Sequence, residues 1–314
     1  MGARGPSARR FAVVGVLVMA TAIDLSVFAA GTHLNARPVE PYLVQEMPED
    51  DPIAGYLVAR LGEIQRAEGP VRVEILGLGG AWQNLTHVLG LENTLGYNPL
   101  RLARYDAATG ARQNSHVGTR RFGTQMTGWS SPLSDLLGLR LIVLGAPMEE
   151  IDPASAAVFA PPVKVGRAFV YENHKAVPRV VLIRADRVRP NTPGQIAGLE
   201  PLPDLEWRSE ALIGVAPSSD RIPAEEPSDA GAVRTETHSA NMLRASIAPD
   251  VPGWLVFHVP AYPGWTASVD GEPRPLVPAN GLFQAVAVRP GDREVTFQFD
   301  LLTSILASRG GGNR

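Results

Sequence analysis

The stretch Ala261-Tyr-Pro-Gly-Trp-Thr-Ala-Ser-Val-Asp-Gly271 decides the fold, because it lies between two runs of alternating apolar residues near the C-terminus. Alternation with a period of two is typical of a β-strand with one buried face. We therefore predict strands over 255–259 and 265–269, joined through a turn at Pro263-Gly264. Asp270-Gly271 predicts a tight hairpin, because glycine adopts the positive φ that two-residue turns require.

Two more apolar runs follow the same rule. Residues 282–288 come after the Pro278-Ala-Asn-Gly281 turn, and residues 294–299 come after Pro290-Gly-Asp292. Four short strands with turn residues at every junction predict an antiparallel meander that forms half of a β-sandwich.

The N-terminus predicts a membrane anchor. Residues 1–10 carry three arginines and no acid, and residues 11–30 contain a single charge, Asp24. Twenty residues of helix match the ~30 Å hydrocarbon core of a bilayer. The arginines predict a cytoplasmic N-terminus, with everything after residue 30 outside the cell. A cleaved signal peptide is the alternative, because residues 11–23 have the character of its apolar region and residues 27–29 that of its cleavage site.

Composition excludes several classes of function. The chain has 314 residues, a net charge of −3 and no cysteine, so thiol catalysis, disulfides and cysteine-ligated metals are excluded. Its 29 basic and 32 acidic residues are well mixed, which argues against nucleic-acid binding. The six histidines show no i, i+4 pair, so we predict no metal and no cofactor.

The rest of the chain predicts an α+β protein. Helical and strand patterns alternate in the first half, and strands dominate the second half. We predict a cytoplasmic stub and transmembrane anchor over 1–36 and an α/β extracytoplasmic domain over 37–165. The prediction continues with a β-sandwich over 166–300, which carries an inserted linker at 192–231, and a disordered tail over 301–314.

Several segments resemble a known family in the same order along the chain. They are Glu92-Asn-Thr-Leu-Gly-Tyr-Asn-Pro-Leu100, Tyr171-Glu-Asn-His-Lys-Ala-Val-Pro-Arg179, Pro260-Ala-Tyr-Pro-Gly-Trp265 and Val269-Asp-Gly271. Together with Asn280-Gly281 and Pro290-Gly291, this set is similar to the C-terminal extracytoplasmic region of the YfhO family. Those bacterial multi-spanning membrane proteins look like integral-membrane glycosyltransferases of the GT-C type.

The resemblance implies the last spanning helix and outer domain of such a protein. The many upstream helices of the family are missing here, and so is the closing helix usually expected after the sandwich. The catalytic acids of such enzymes lie in an outer loop between early helices, so no catalytic residue carries over. The resemblance therefore implies a truncated or split gene product, or a stand-alone accessory domain.

Two groups of residues are candidates for ligand binding. The first is a polar and aromatic cluster near Gly90 and Gly96, formed by Glu92, Asn93, Tyr97 and Asn98. The second lies in the deciding stretch, where Tyr262 and Trp265 could form a platform for sugar rings. Asp270 could bind a ligand hydroxyl or could serve its own hairpin, and Trp265 could equally be a core residue.

We expect a non-catalytic extracytoplasmic domain at the bacterial cell membrane, crossing it once. Its expected partners are the membrane, a cell-envelope glycan or lipid-linked sugar, and a membrane glycosyltransferase. One alternative is a secreted carbohydrate-binding module. A second is an extracytoplasmic glycoside hydrolase, which needs two carboxylates roughly 5–9.5 Å apart in one cleft.

Overall fold

The structure is a computed structural model that describes residues 8–30, 44, 48–95, 102–111, 118–214, 231–301 and 304. The chain divides into two compact units, Met1–Leu43 and Val44–Arg314. The described part of the first unit is the helix Ala8–Ala30, whose segment Phe11–Phe28 is long and apolar enough to cross a membrane. Every side chain of that segment is exposed.

The second unit contains short helices and many strands. Numbered with the N-terminal helix as α1, the others are α2 (Pro52–Glu68), α3 (Leu85–Val88), α4 (Ala103–Thr109), α5 (Pro132–Leu136), α6 (Pro153–Ala156) and α7 (Pro193–Ile196). The strands are β1 (Arg72–Leu76), β2 (Glu92–Asn93), β3 (Leu139–Leu144), β4 (Val163–Val165), β5 (Ala168–Glu172), β6 (Val180–Arg184), β7 (Val188–Pro190), β8 (Ala211–Ile213), β9 (Gly231–His238), β10 (Met242–Pro249), β11 (Gly253–Phe257), β12 (Trp265–Val269), β13 (Glu272–Arg274), β14 (Leu276–Ala279), β15 (Phe283–Val288) and β16 (Glu294–Phe299).

Sheet 1 is the α/β layer, with strand order β2-β1-β3-β5-β4. Strand β1 runs parallel to both β2 and β3, and β5 is antiparallel to β3. Helix α2 covers one face because Leu57, Leu61 and Ile64 recur at helical spacing and pack on the sheet. Its start is fixed by Asp51, whose carboxylate accepts hydrogen bonds from the backbone N–H groups of Ile53 and Ala54.

Sheets 2 and 3 form the predicted β-sandwich, in which the described strands pair antiparallel except β7, which runs parallel to β8. Sheet 2 has the order β6-β11-β15-β14-β8-β7, and sheet 3 has the order β13-β12-β16-β10-β9. Alternating residues of both sheets meet in one core that includes Leu255, Phe257, Ala267, Val269 and Phe297. The α+β fold class is therefore confirmed.

The predicted meander is wrong, although its strands are present. Strand β11 pairs with β15 in sheet 2, whereas β12 pairs with β16 in sheet 3. Successive strands thus cross between the sheets. Alternation reveals which side chains of a strand face the core, but both sheets of a sandwich face the same core, so the pattern does not assign a strand to a sheet.

The hairpin at Asp270-Gly271 is confirmed. Both residues have positive φ, 51° and 84°, and they connect β12 to its antiparallel neighbour β13. Asn280 and Gly281 repeat this geometry, with φ of 44° and 73°, between β14 and β15. Two consecutive positive φ angles are typical of the turn that suits the right-handed twist of paired strands.

Sheet 1 and the sandwich share a second, continuous core. Leu76 and Ile142 of sheet 1 lie in one buried cluster with Phe283 of sheet 2, and Trp129 fills the space between them. The hairpin formed by β4 and β5 spans the predicted domain boundary at 165 and belongs to sheet 1. The α/β layer and the sandwich are thus parts of one compact unit.

Candidate functional site

A cavity of about 620 Å³ lies where the three sheets meet, and we call it the inter-sheet cavity. This volume is within the range of typical small-ligand sites. Strands β1 and β2 of sheet 1 line the cavity together with the C-terminal end of helix α2, and the sandwich contributes β9, β11 and β12. The lining residues used below are Arg72, Glu92, Arg179, Thr235, Glu236, His238, Ser239, Phe257 and Trp265.

One carboxylate joins three basic side chains in this cavity. Oε2 of Glu92 lies 2.7 Å from Nη2 of Arg179 and 3.2 Å from Nε of Arg72. Its other oxygen, Oε1, lies 3.2 Å from Nε2 of His238. We call these four residues the Glu92 cluster. It connects β2 of sheet 1 with the start of sheet 2 and with the end of β9 in sheet 3.

Both arginines are buried, at 8% exposure for Arg72 and 4% for Arg179. Nη1 of Arg72 donates to the backbone oxygens of Leu137 and His258. Among the described residues, Nη2 of Arg72 and Nε and Nη1 of Arg179 have no hydrogen-bond acceptor from the protein. The cluster therefore holds spare donors next to open space.

The electrostatics of the cluster keep Glu92 ionised. Burial alone raises the pKa of Glu92, but the charges of Arg72 and Arg179 and the hydrogen bond from Arg179 outweigh it and lower that pKa to about 2. Burial lowers the pKa of Arg179 to about 10, helped by the charge of Arg72, so Arg179 still carries its proton at neutral pH. Burial also lowers the pKa of His238, which favours its neutral form.

Two aromatic residues, Phe257 and Trp265, line the same cavity as the Glu92 cluster. Trp265 is partly exposed at the start of β12, and its ring meets that of Phe257 edge to face at 5.2 Å. Phe257 stacks on Phe297 at 4.4 Å, which fixes this aromatic pair to the sandwich core. A partly exposed indole in a cavity that also holds charged groups can cover the apolar face of a sugar while the polar groups bind its hydroxyls.

The structure brings together Glu92 and Trp265, one residue from each predicted group. Asn93 follows Glu92, and its side-chain oxygen accepts a hydrogen bond from the backbone N–H of Leu95. Tyr97 and Asn98 lie outside the described residues. Tyr262 lines a different and smaller cavity of about 180 Å³, next to Arg104 and Leu282.

Asp270 forms the turn of its hairpin through its backbone, and its side chain connects that turn to the start of β16. Its carboxylate accepts hydrogen bonds from the backbone N–H groups of Arg293 and Glu294. It lies at the far end of β12 from Trp265, about 16 Å away by strand geometry. Asp270 is therefore not part of the inter-sheet cavity.

Sequence reasoning missed Arg72, Arg179 and His238. A signal for Arg72 was present, because Val71-Arg-Val-Glu-Ile-Leu76 places charged residues inside a run rich in β-branched residues, which is typical of a strand. A buried charge requires a partner, so such a pattern points to an internal polar site. Arg179 and His238 have no comparable signal, because their partner Glu92 is distant in sequence and only the fold brings them together.

Among the described residues, no group of three or more histidine, aspartate and glutamate side chains could hold a metal ion. No family model, no curated protein and no solved structure matches this chain.

Proposed function

We propose that this chain is a membrane-anchored extracytoplasmic domain that binds a cell-envelope glycan or a lipid-linked sugar in the inter-sheet cavity. It acts without catalysis of its own, beside a membrane glycosyltransferase of the kind that the YfhO resemblance implies. The observation that carries this proposal is that Trp265 and the Glu92 cluster line the same cavity of about 620 Å³. An apolar lining with a few fixed polar groups is the usual design of a small-ligand site.

The anchor follows from the segment Phe11–Phe28 and from the arginines that precede it. The absence of cysteine offers a direct test of orientation. A single cysteine placed at Ser7 is expected to resist a membrane-impermeant maleimide in intact cells, and one at the exposed Glu272 is expected to react. The opposite labelling pattern would contradict the proposed topology.

A secreted carbohydrate-binding module differs from this proposal at the N-terminus. Sequencing the N-terminus of the mature protein distinguishes the two, because an intact leader supports the anchor. A leader removed near residues 27–29 supports the secreted module.

The glycoside hydrolase alternative has less support. In the part of the chain that the structure describes, two carboxylates line the inter-sheet cavity, Glu92 and Glu236. The pKa of Glu236 is lowered, first by its hydrogen bond from Ser246, and that of Glu92 is about 2. A glycosidase needs one carboxyl group with a raised pKa to protonate the leaving group, and neither residue provides it.

Binding is tested with the full chain in lipid nanodiscs on an array of bacterial envelope glycans. Wild-type protein is expected to bind, and Trp265→Ala is expected to lose that binding. Trp254→Ala is the matched control, because Trp254 is also partly buried in a sandwich strand but does not line the cavity. Equal binding by wild type and Trp265→Ala would contradict the proposed site.

A further inference from the structure

We infer that the inter-sheet cavity selects a saccharide that carries an oxyanion, either a phosphate ester or a carboxylate, next to its sugar ring. This inference rests on the proposed function and adds the charge of the ligand. It follows from the excess positive charge of the Glu92 cluster, from the spare donors of its two arginines and from the presence of Trp265 in the same lining.

The Glu92 cluster carries an excess of one positive charge. Arg72 and Arg179 carry two positive charges, and Glu92 supplies one negative charge between them. The other lining carboxylate, Glu236, is already 2.6 Å from Nη2 of Arg234 on the same strand. Glu236 and Arg234 are both exposed and pair with each other outside the Glu92 cluster. The two buried arginines of the cluster therefore carry one positive charge more than Glu92 neutralises.

The spare N–H donors of the two arginines are available to hydrogen-bond an anionic ligand. Nε and Nη1 of Arg179 and Nη2 of Arg72 have no acceptor among the described residues, while the remaining guanidinium nitrogens are held by Glu92, Leu137 and His258. Arginine donors in a fixed planar fork match the paired oxygens of a carboxylate or a phosphate. A buried guanidinium with open donors is costly unless an acceptor joins it, so the cavity favours a ligand that brings one.

The rest of the lining tolerates a sugar next to the anion. Thr235 offers a hydroxyl group on β9, and Trp265 offers an apolar face, whereas the Ser239 hydroxyl is engaged by the backbone of Met242 in the turn after β9. Gly69 and Gly90 leave the cavity wall open beside Arg72, with no atom within 4 Å of a Cβ built at Gly90. An oxyanion on the arginines thus leaves room for a ring against the indole.

The test is a calorimetric titration of the full chain in nanodiscs with four probes: glucose, glucose 1-phosphate, glucuronic acid and inorganic phosphate. We expect glucose 1-phosphate or glucuronic acid to bind at least about tenfold more tightly than glucose, as a charge-assisted hydrogen bond implies. The tighter of these two probes distinguishes a phosphorylated ligand from a uronate. Added salt is expected to weaken the binding of the anionic probe more than the binding of glucose.

Ser239→Glu and Ser239→Gln are the matched variants, because Ser239 is exposed at the cavity rim and both substitutions leave the Glu92 cluster intact. The glutamate variant is expected to bind the anionic probe severalfold more weakly than wild type and to bind glucose with unchanged affinity. The glutamine variant is expected to bind both probes as wild type does. If glucose binds as tightly as both anionic sugars, the inference fails and the proposed function stands. If inorganic phosphate binds and no saccharide adds affinity, the anion site stands and the proposed glycan function fails. If none of the four probes binds, both fail.

Discussion

Arg179 donates a 2.7 Å hydrogen bond to Glu92 from a position 87 residues later in the chain. Arg179 precedes the first strand of sheet 2, and Glu92 belongs to the edge strand of sheet 1. Because Glu92 also contacts His238 at the end of sheet 3, one carboxylate connects all three sheets. The same contact shapes the inter-sheet cavity, so the stability of the fold and the proposed binding site depend on one residue.

Replacing Glu92 with alanine is expected to destabilise the protein by about 3 kcal/mol, because it leaves two buried guanidinium groups without their shared carboxylate. The measurement is urea denaturation of the full chain, followed by tryptophan fluorescence. Glu63→Ala is the control, because Glu63 forms an exposed ion pair with Arg60 on one helix and is expected to cost at most about 0.5 kcal/mol. Equal losses in the two variants would show that the Glu92 cluster adds nothing to stability.

The buried His258 is expected to make the protein less stable at acidic pH. Its Nδ1 lies 2.9 Å from the backbone oxygen of Pro178, and its Nε2 lies 3.2 Å from the side-chain nitrogen of Asn280. This pairing suits the neutral ring, with its proton on Nδ1. Burial is the main cause that lowers its pKa from 6.5 to about 4. The unfolded chain therefore binds this proton first, and the stability contributed above pH 6.5 declines as the pH falls towards 4.

The loss assigned to His258 is on the order of 3 kcal/mol. It is measured by urea denaturation of wild type and His258→Gln at several pH values between 4 and 7. The variant is expected to show a shallower decline in the free energy of unfolding on acidification. Parallel curves for the two proteins would contradict the assignment.

The buried Asp135 is expected to make stability depend on pH in the opposite direction to His258. Burial raises the pKa of Asp135 from 3.8 to about 6, against the hydrogen bond from Asn173. The folded state therefore holds this proton more tightly, so stability decreases as the pH rises from about 4 to 6. Asp135→Asn is expected to exceed wild type by up to about 3 kcal/mol above pH 6, with the difference disappearing near pH 4. A variant that is less stable than wild type at pH 7 would contradict this prediction.

Replacing Gly271 in the Asp270-Gly271 hairpin is expected to lower the stability of the fold through backbone conformation alone. Gly271 has φ of 84°, and a Cβ built there meets no atom within 4 Å. Gly271→Ala is therefore expected to lose about 1–2 kcal/mol through backbone strain alone. Gly55→Ala is the matched control, because its Cβ also meets nothing within 4 Å but Gly55 lies within helix α2, where alanine is expected to gain about 0.5–1 kcal/mol. Thermal denaturation of both variants measures the contrast.

Local patterns in the sequence predicted the elements of the fold well. Strand β12 and the strand at 294–299 match their predicted bounds, and Asp270-Gly271 forms the predicted hairpin. These features depend on neighbours two to four residues apart, through side-chain alternation and the φ preference of glycine. The exchange of strands between sheets 2 and 3 depends on long-range pairing, so the same patterns led to the wrong meander.

The site was less predictable for the same reason. Glu92 and Trp265 were candidates on local grounds, as a polar residue near glycines and an aromatic residue after a turn. The cavity that joins them also needs Arg179 and His238, whose contacts with Glu92 cross between sheets. The positive charge of this site comes from the two buried arginines. Their burial results from the packing of the sheets, which local sequence patterns do not specify.

The most direct test of the central claim is a fluorescence titration of the full chain in nanodiscs with glucose 1-phosphate. The account predicts a saturable change in tryptophan emission for wild type that Trp265→Phe removes and Trp254→Phe keeps. A saturable change that survives Trp265→Phe undiminished, or no saturable change with this probe or with glucuronic acid, would contradict binding in the inter-sheet cavity.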